Sequence, residues 1–181
     1  MNATNAAKPA RAATAYIRAL HENALRQAQS HVELAAGETL MAKRVERISG
    51  WSIAQQLEHL AMVNAGILKR IDDGVKMPAA EVRGRVSLIG CVVLWAGKLP
   101  RGRKAPEKTL PQNIPIAEVR ARLIAVRDEL AALETRLGEI EAAPGRTAHP
   151  VLGMFKGVHW LRFIPIHNNH HEKIIREISN A

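Results

Sequence analysis

"IAEVRARLIAVRDELAALETRLGEIE", residues 116–141, carries one pattern from end to end. Its apolar side chains are Ile116, Val119, Leu123, Val126, Leu130, Leu133, Leu137 and Ile140, spaced alternately three and four residues apart. That spacing places them on one side of an α-helix, as a heptad-like seam about seven turns long. Pro115 suits the first turn, where a backbone N–H has no helical partner. A stripe of this kind is stable only against other helices. The sequence leaves open whether those belong to the same chain or to a second subunit.

The rest of the chain supplies candidates. Ser52 is a good N-cap, and Gln55 three residues later completes a capping box. The helix it starts runs over 52–73, with Ile53, Leu57, Leu60, Ile67 and Ile71 as its apolar stripe and Gly74 as its stop. A further long helix is predicted over 9–36, with Ile17, Leu20, Ala24, Ala28 and Val32 inward and Gly37 as its end. The last runs from about Gly157 to Ile178, with Pro165 inside it as an expected kink. The short apolar run "VSLIGCVVLWAG", residues 86–97, reads as a short buried helix, since a bilayer span needs about 20 residues. No stretch alternates as a strand should. The expectation is an all-α protein: a four-helix bundle with a short extra helix near 86–97, one domain over 1–181, residues 1–8 disordered.

Composition agrees. Of 181 residues, 47% are hydrophobic and only 3% aromatic, so the core must be largely aliphatic. Cys91 is the only cysteine, which rules out an internal disulfide and fits a reducing, cytoplasmic setting. The Ala-rich start "MNATNAAKPARAATAYIRAL" has a transit-peptide flavour, but its pattern continues into the next segment and reads as the start of a helix. No signal peptide or membrane span is expected. The formal net charge is +9, and six of those nine charges fall within residues 74–115. The densest part, "GKLPRGRKAPEK" at 97–108, is rich in Pro and Gly and reads as a solvated loop. A nucleic-acid binder would instead carry a basic stripe along a helix face or interleaved with aromatics, so nucleic acid is not the expected partner.

The chemistry lies in "FIPIHNNHHEKII", residues 163–175. On a helical wheel Trp160, Ile164, Ile174 and Ile178 define the inward stripe, and His167 and His171 fall in the middle of it. Four residues apart, their rings stack one turn above each other, as two nitrogen ligands of a metal do. Spacing alone leaves a second reading, two core histidines bonded to backbone or water. His170 sits at the edge of the same arc. A third ligand is offered by His59 in "WSIAQQLEHL", residues 51–60, although its wheel position flanks the apolar stripe. Asn168 stands where the zinc-protease pattern H-E-x-x-H has its glutamate base, so that mechanism is excluded. Glu58 and Glu172 adjoin the histidines in sequence but point about 100° away, which makes neither a convincing base. His21 and His31 are expected on solvent-facing or flanking sides of the first helix. His149 is expected to stabilise a turn, Trp51 and Trp160 to anchor the core, and Cys91 to be buried and inert.

Together, Trp51, Ser52, Leu57, His59 and Leu60, followed by His149, Pro150, Gly153, Trp160, His167, His170 and His171, resemble the DinB-like superfamily, also known as the DinB/YfiT-like metalloenzymes. The resemblance spans most of the chain. It implies an up-down-down-up bundle, often homodimeric, with zinc or nickel held by His59, His167 and His171. It also implies a small-molecule substrate, with a low-molecular-weight thiol as a co-substrate in the characterised relatives. Many relatives carry Gln three residues after the last ligand; here that position is Ile174, so a contact that would orient the ligand is missing there. The expectation is a metal-dependent transferase or hydrolase. The alternatives are a non-catalytic bundle acting through dimerisation, and a basic adaptor using 98–108 on an anionic partner.

Overall fold

The seam of 116–141 is buried against the chain's own helices. In the computed structural model, which describes residues 12–102 and 104–181, Val119, Leu123, Val126, Leu130, Leu137 and Ile140 are all core residues. The helix that carries them is not continuous. It divides into α4 (Ile116–Ala132), a 3-10 turn (Leu133–Arg136) and α5 (Leu137–Ala142). The tighter turn winds at about three residues per turn. Arg136 within it bridges Asp72 at 3.2 Å and Glu139 at 2.9 Å.

Four long helical segments surround the core. α1 (Ala15–Leu34) and α2 (Ile53–Lys76) each pack against both α4 and α6 (Gly157–Asn180). α1 is shorter than the sequence reading of 9–36: residues 12–14 are not helical, and Thr14 is tied through its N–H and hydroxyl to Glu141. The expected helix over 9–11 and the expected disorder of 1–8 lie outside the described residues. α2 opens with the reciprocal Ser52–Gln55 capping box. Contrary to expectation it passes through Gly74 and ends at Lys76; Gly74 packs against Gly145, where a Cβ would fall 1.8 Å from the Gly74 carbonyl oxygen. α6 runs through Pro165 to Asn180. Its first residue has to be glycine: a Cβ on Gly157 would sit 2.6 Å from Ile140 Cγ2 of α5.

Two corrections concern small elements. The short helix, α3 (Leu88–Ala96), forms with Ser87 as N-cap and Gly97 in the left-handed region (φ 64°), as the pattern required. It is not buried, however. Only Gly90, Val93 and Leu94 turn inward, while Leu88 is 87% and Trp95 83% exposed, and Cys91 is exposed too. The second correction is an antiparallel hairpin, β1 (Thr147–His149) and β2 (Gly153–Phe155), that no alternation announced. At three residues per strand it depends on its turn. His149 Nδ1 accepts hydrogen bonds from the N–H groups of Val151 and Leu152 at 3.2 and 3.1 Å, the turn role expected of it. Gly153 takes φ 88°, which glycine tolerates without cost.

The core has two clusters with a polar layer between them. Along α6 one cluster ends at Ile166 and the other begins at Ile174. Along α2 the break falls between Ala61 and Ile67. Asn64 fills the α2 gap, and Asn168 faces it from α6 with its amide oxygen 3.1 Å from Asn64 Nδ2. Asn168 also donates to Gln27 of α1 at 3.2 Å. These amides favour the observed rotation of α6 about its axis, because turning it away would unpair Asn64 Nδ2 and the Asn168 side chain.

Candidate metal centre

His167 and His171 stand in the same break of the α6 stripe, and His59 of α2 meets them there. Their rings form a triangle with centroid separations of 5.2 Å (59–167), 4.6 Å (59–171) and 4.6 Å (167–171). One nitrogen from each lies within 4.8 Å of the others. All three are buried, at 3%, 8% and 7% exposure. For His59 this corrects the sequence reading. The wheel placed it beside the stripe, but a loop folds over that flank.

The loop is the basic stretch between α3 and α4, and α2 grips it through consecutive residues. His59 Nδ1 donates to the carbonyl of Thr109 at 2.7 Å. Glu58 accepts the N–H groups of Gln112 and Asn113 at 2.7 and 3.0 Å, holding the turn in which Asn113 adopts φ 61°. Glu58 is therefore occupied and not a base. Glu172 is occupied as well, 2.9 Å from Nε2 of the buried His31. Both His31 and His21 were expected at or near the surface of α1. They are buried instead, because each has a partner on another helix: Glu172 for His31, and the Leu130 carbonyl for His21 at 2.7 Å.

These partners determine where the ring protons sit. A carbonyl can only accept, so His59 carries its proton on Nδ1 and turns the Nε2 lone pair inward. His171 is arranged alike: its Nδ1 is 2.6 Å from Gln56 Oε1. The Gln56 amide is itself set by donation from Nε2 to Ser49 Oγ at 3.0 Å. Gln56 thus supplies the orienting contact that Ile174 cannot. His167 has no such acceptor. Its Nδ1 is buried and unpartnered, and its Nε2 lies 3.3 Å from His59 Nε2. Three buried rings, two of them presenting lone pairs and the third bringing its Nε2 to 3.3 Å from that of His59, fit a cation at their centre. Burial holds all three rings below the ordinary histidine pKa, His167 and His171 far below with repulsion from neighbouring rings added; for His59 the Thr109 bond offsets part of the effect. Neutral imidazoles are the form that ligates metals.

Around the triad, Trp51 is half-buried and stacks on His171 at 6.4 Å and 10°, with His59 at 5.1 Å. It is a wall of the site rather than a core anchor. Trp160 is the core anchor, donating from Nε1 to Thr147 Oγ1 at 2.8 Å. His170 lies edge-on to His171 at 5.0 Å and is half-buried. It is not among the three converging nitrogens. The histidines open into a cavity of about 700 Å³ bounded by α2, α3, α6, the hairpin turn and the basic loop.

A mainly helical protein with a buried, open-sided cluster of three histidines is the class that fold and site define. The family model of the DinB superfamily matches residues 10–175, and the chain belongs to that superfamily. No curated protein and no solved structure matches it. Among the described residues no helix is long and apolar enough to cross a membrane. Gln56 and the Thr109 carbonyl are the site contributors that sequence reasoning missed. The only signal for Gln56 is its place one turn before His59, on the same face of α2.

Proposed function

We propose that the protein is a metal-dependent enzyme in which Nε2 of His59 and of His171, together with His167, hold one divalent metal ion, zinc or nickel. The observation that carries this reading is the convergence of three neutral imidazoles, two of them locked by buried acceptors with their lone pairs inward. When bound, the metal supplies Lewis acidity, activating a water or a thiol at neutral pH or polarising a carbonyl. The chain's own residues do the rest. Thr109 and Gln56 hold the ring tautomers, Trp51 keeps two rings in place, and the cavity admits a small molecule to the open side. Three protein ligands rather than four favour catalysis over a structural site. With Glu58 and Glu172 both engaged, the chain offers no carboxylate dyad here, which favours transfer to or from a low-molecular-weight thiol, or hydrolysis. The domain is taken as the whole of 1–181, since the same long helices build both core clusters. An exposed free thiol at Cys91 accords with a cytoplasmic setting.

The test is a panel of thiol-dependent transfer and ester or amide hydrolysis assays on stripped protein and on protein reloaded with zinc or nickel. Activity should appear only on reloading and vanish in His167→Ala. Turnover indifferent to stripping would contradict the reading.

A second reading, a homodimer acting through partner binding, is favoured by one observation: Leu88, Ile89, Val92 and Trp95 leave an apolar face of α3 uncovered. Light scattering should find a dimer that becomes monomeric in Trp95→Asp. A monomeric wild type would refute it.

A further inference from the structure

The cavity above the histidines has a one-sided charge. Among the described residues its wall contains Arg70, Arg101 and Lys104 and no aspartate or glutamate. Arg101 is compensated, since it pairs with Glu177 of α6 at 2.8 Å. Arg70 is not. It is half-buried, donates to the carbonyls of Gly66 and Ala148, and lies 5.6 Å over the Trp160 ring, but it meets no carboxylate among the described residues. Lys104 is exposed and makes no ion pair or hydrogen bond among the described residues.

The loop that carries Lys104 is fastened on both sides. Before it, Arg101 is held by Glu177. After it, the Thr109 carbonyl receives His59 Nδ1. Both tethers end on ligand-bearing helices, so the basic residues are stationed at the cavity and not merely near it in sequence. The remaining wall is apolar, with Met62, Val93 and Phe163 among its members. A low-dielectric wall carrying cations of one sign concentrates a positive potential inside.

We infer that this cavity takes an amphipathic organic anion, an apolar body bearing a carboxylate or phosphate that is held by Lys104 and Arg70. This rests on the reading of the cavity as the substrate site, and not on the presence of the metal. It also assigns a role to the densest basic stretch of the chain, which is to select ligand charge.

The test uses the full chain and four eight-carbon probes below their micellar concentrations: octanoate, octyl phosphate, octylamine and 1-octanol. Binding is measured by isothermal titration calorimetry on zinc-loaded protein, on EDTA-stripped protein and on Lys104→Glu. Arg70→Gln is included with a thermal melt to check folding. Both anions should bind at least about tenfold more tightly than octylamine or octanol, and Lys104→Glu should weaken them about tenfold while leaving octanol unchanged. The preference should survive stripping, and the stronger of the two anions identifies the head group. Equal affinity for all four probes, or no binding of either anion at millimolar concentration, overturns the inference. So does an anion preference abolished by stripping yet indifferent to Lys104→Glu, since the histidine centre alone would then be its source. A failed metal assignment would show separately, as protein that takes up no zinc.

Discussion

Replacing Gln56 by leucine isolates the part of the centre that sequence alone did not show. The side chain is 1% exposed and accepts the His171 Nδ1 proton at 2.6 Å, so leucine keeps the volume and removes that acceptor, along with the Nε2 donation to Ser49 Oγ. Two consequences follow. A buried N–H loses its partner, which costs about 1–3 kcal/mol of stability in the metal-free protein. His171 also loses what fixes its tautomer: the proton can move to Nε2 and block the lone pair that faces the cluster. Loss of such an orienting partner typically weakens metal binding about 10–100-fold, or about 1.4–2.7 kcal/mol. Stability is read from urea unfolding in EDTA, and affinity from zinc competition against a chromophoric chelator. Gln56→Glu, which restores an acceptor, should recover most of the affinity. If Gln56→Leu folds normally and binds zinc within about twofold of wild type, the reasoning from tautomer to ligation is wrong.

Three further outcomes are expected. Glu58→Ala leaves the Gln112 and Asn113 N–H groups without their carboxylate and should cost about 3 kcal/mol, a drop in Tm of roughly 10 °C by calorimetry; a shift under about 2 °C would show that the loop does not depend on it. Asn168→Leu strips partners from Asn64 and Gln27 and should lower the unfolding free energy read from urea curves by about 2 kcal/mol, with no gain if glutamate is placed there instead. The pH dependence follows from the depressed histidines. His149 is lowered to about 4, by burial first and Arg70 second, so the unfolded chain takes its proton near 6.5 and the folded chain does not. Metal-free stability should therefore be flat above about pH 6.5 and fall as the pH drops from there towards 4, at most about 1.4 kcal/mol per unit from His149 and less given its partial exposure. For the triad the same sign means that zinc binding at pH 6 releases well under the roughly two protons that three ordinary imidazoles would give up; calorimetry in buffers of different ionisation enthalpy measures the number.

What the sequence made legible was what local periodicity controls. The seam from Val119 to Ile140, which keeps its face across the 3-10 turn, the Ser52–Gln55 start of α2 and the four-residue spacing of His167 and His171 are each set by local spacing, and each is in place. Features that depend on distant partners could not be read. His59 is buried only because Thr109, 50 residues away, folds over it. His21 and His31 look like surface residues until Leu130 and Glu172 are brought alongside, and Gln56 is silent until His171 arrives from 115 residues away. The run 86–97 shows the opposite failure. Its apolar composition implied burial, but composition cannot say that a one-sided helix has no second neighbour, and Leu88 and Trp95 remain in solvent.

The central claim is that three histidines hold one metal, and metal content by plasma mass spectrometry tests it most directly. The protein would be purified untagged and without chelators, beside a His167→Ala, His171→Ala variant shown by circular dichroism to be folded. The account predicts close to one equivalent of zinc or nickel in the wild type and none in the variant. A wild type that stays empty after incubation with either metal, or a variant that retains a full equivalent, would contradict it.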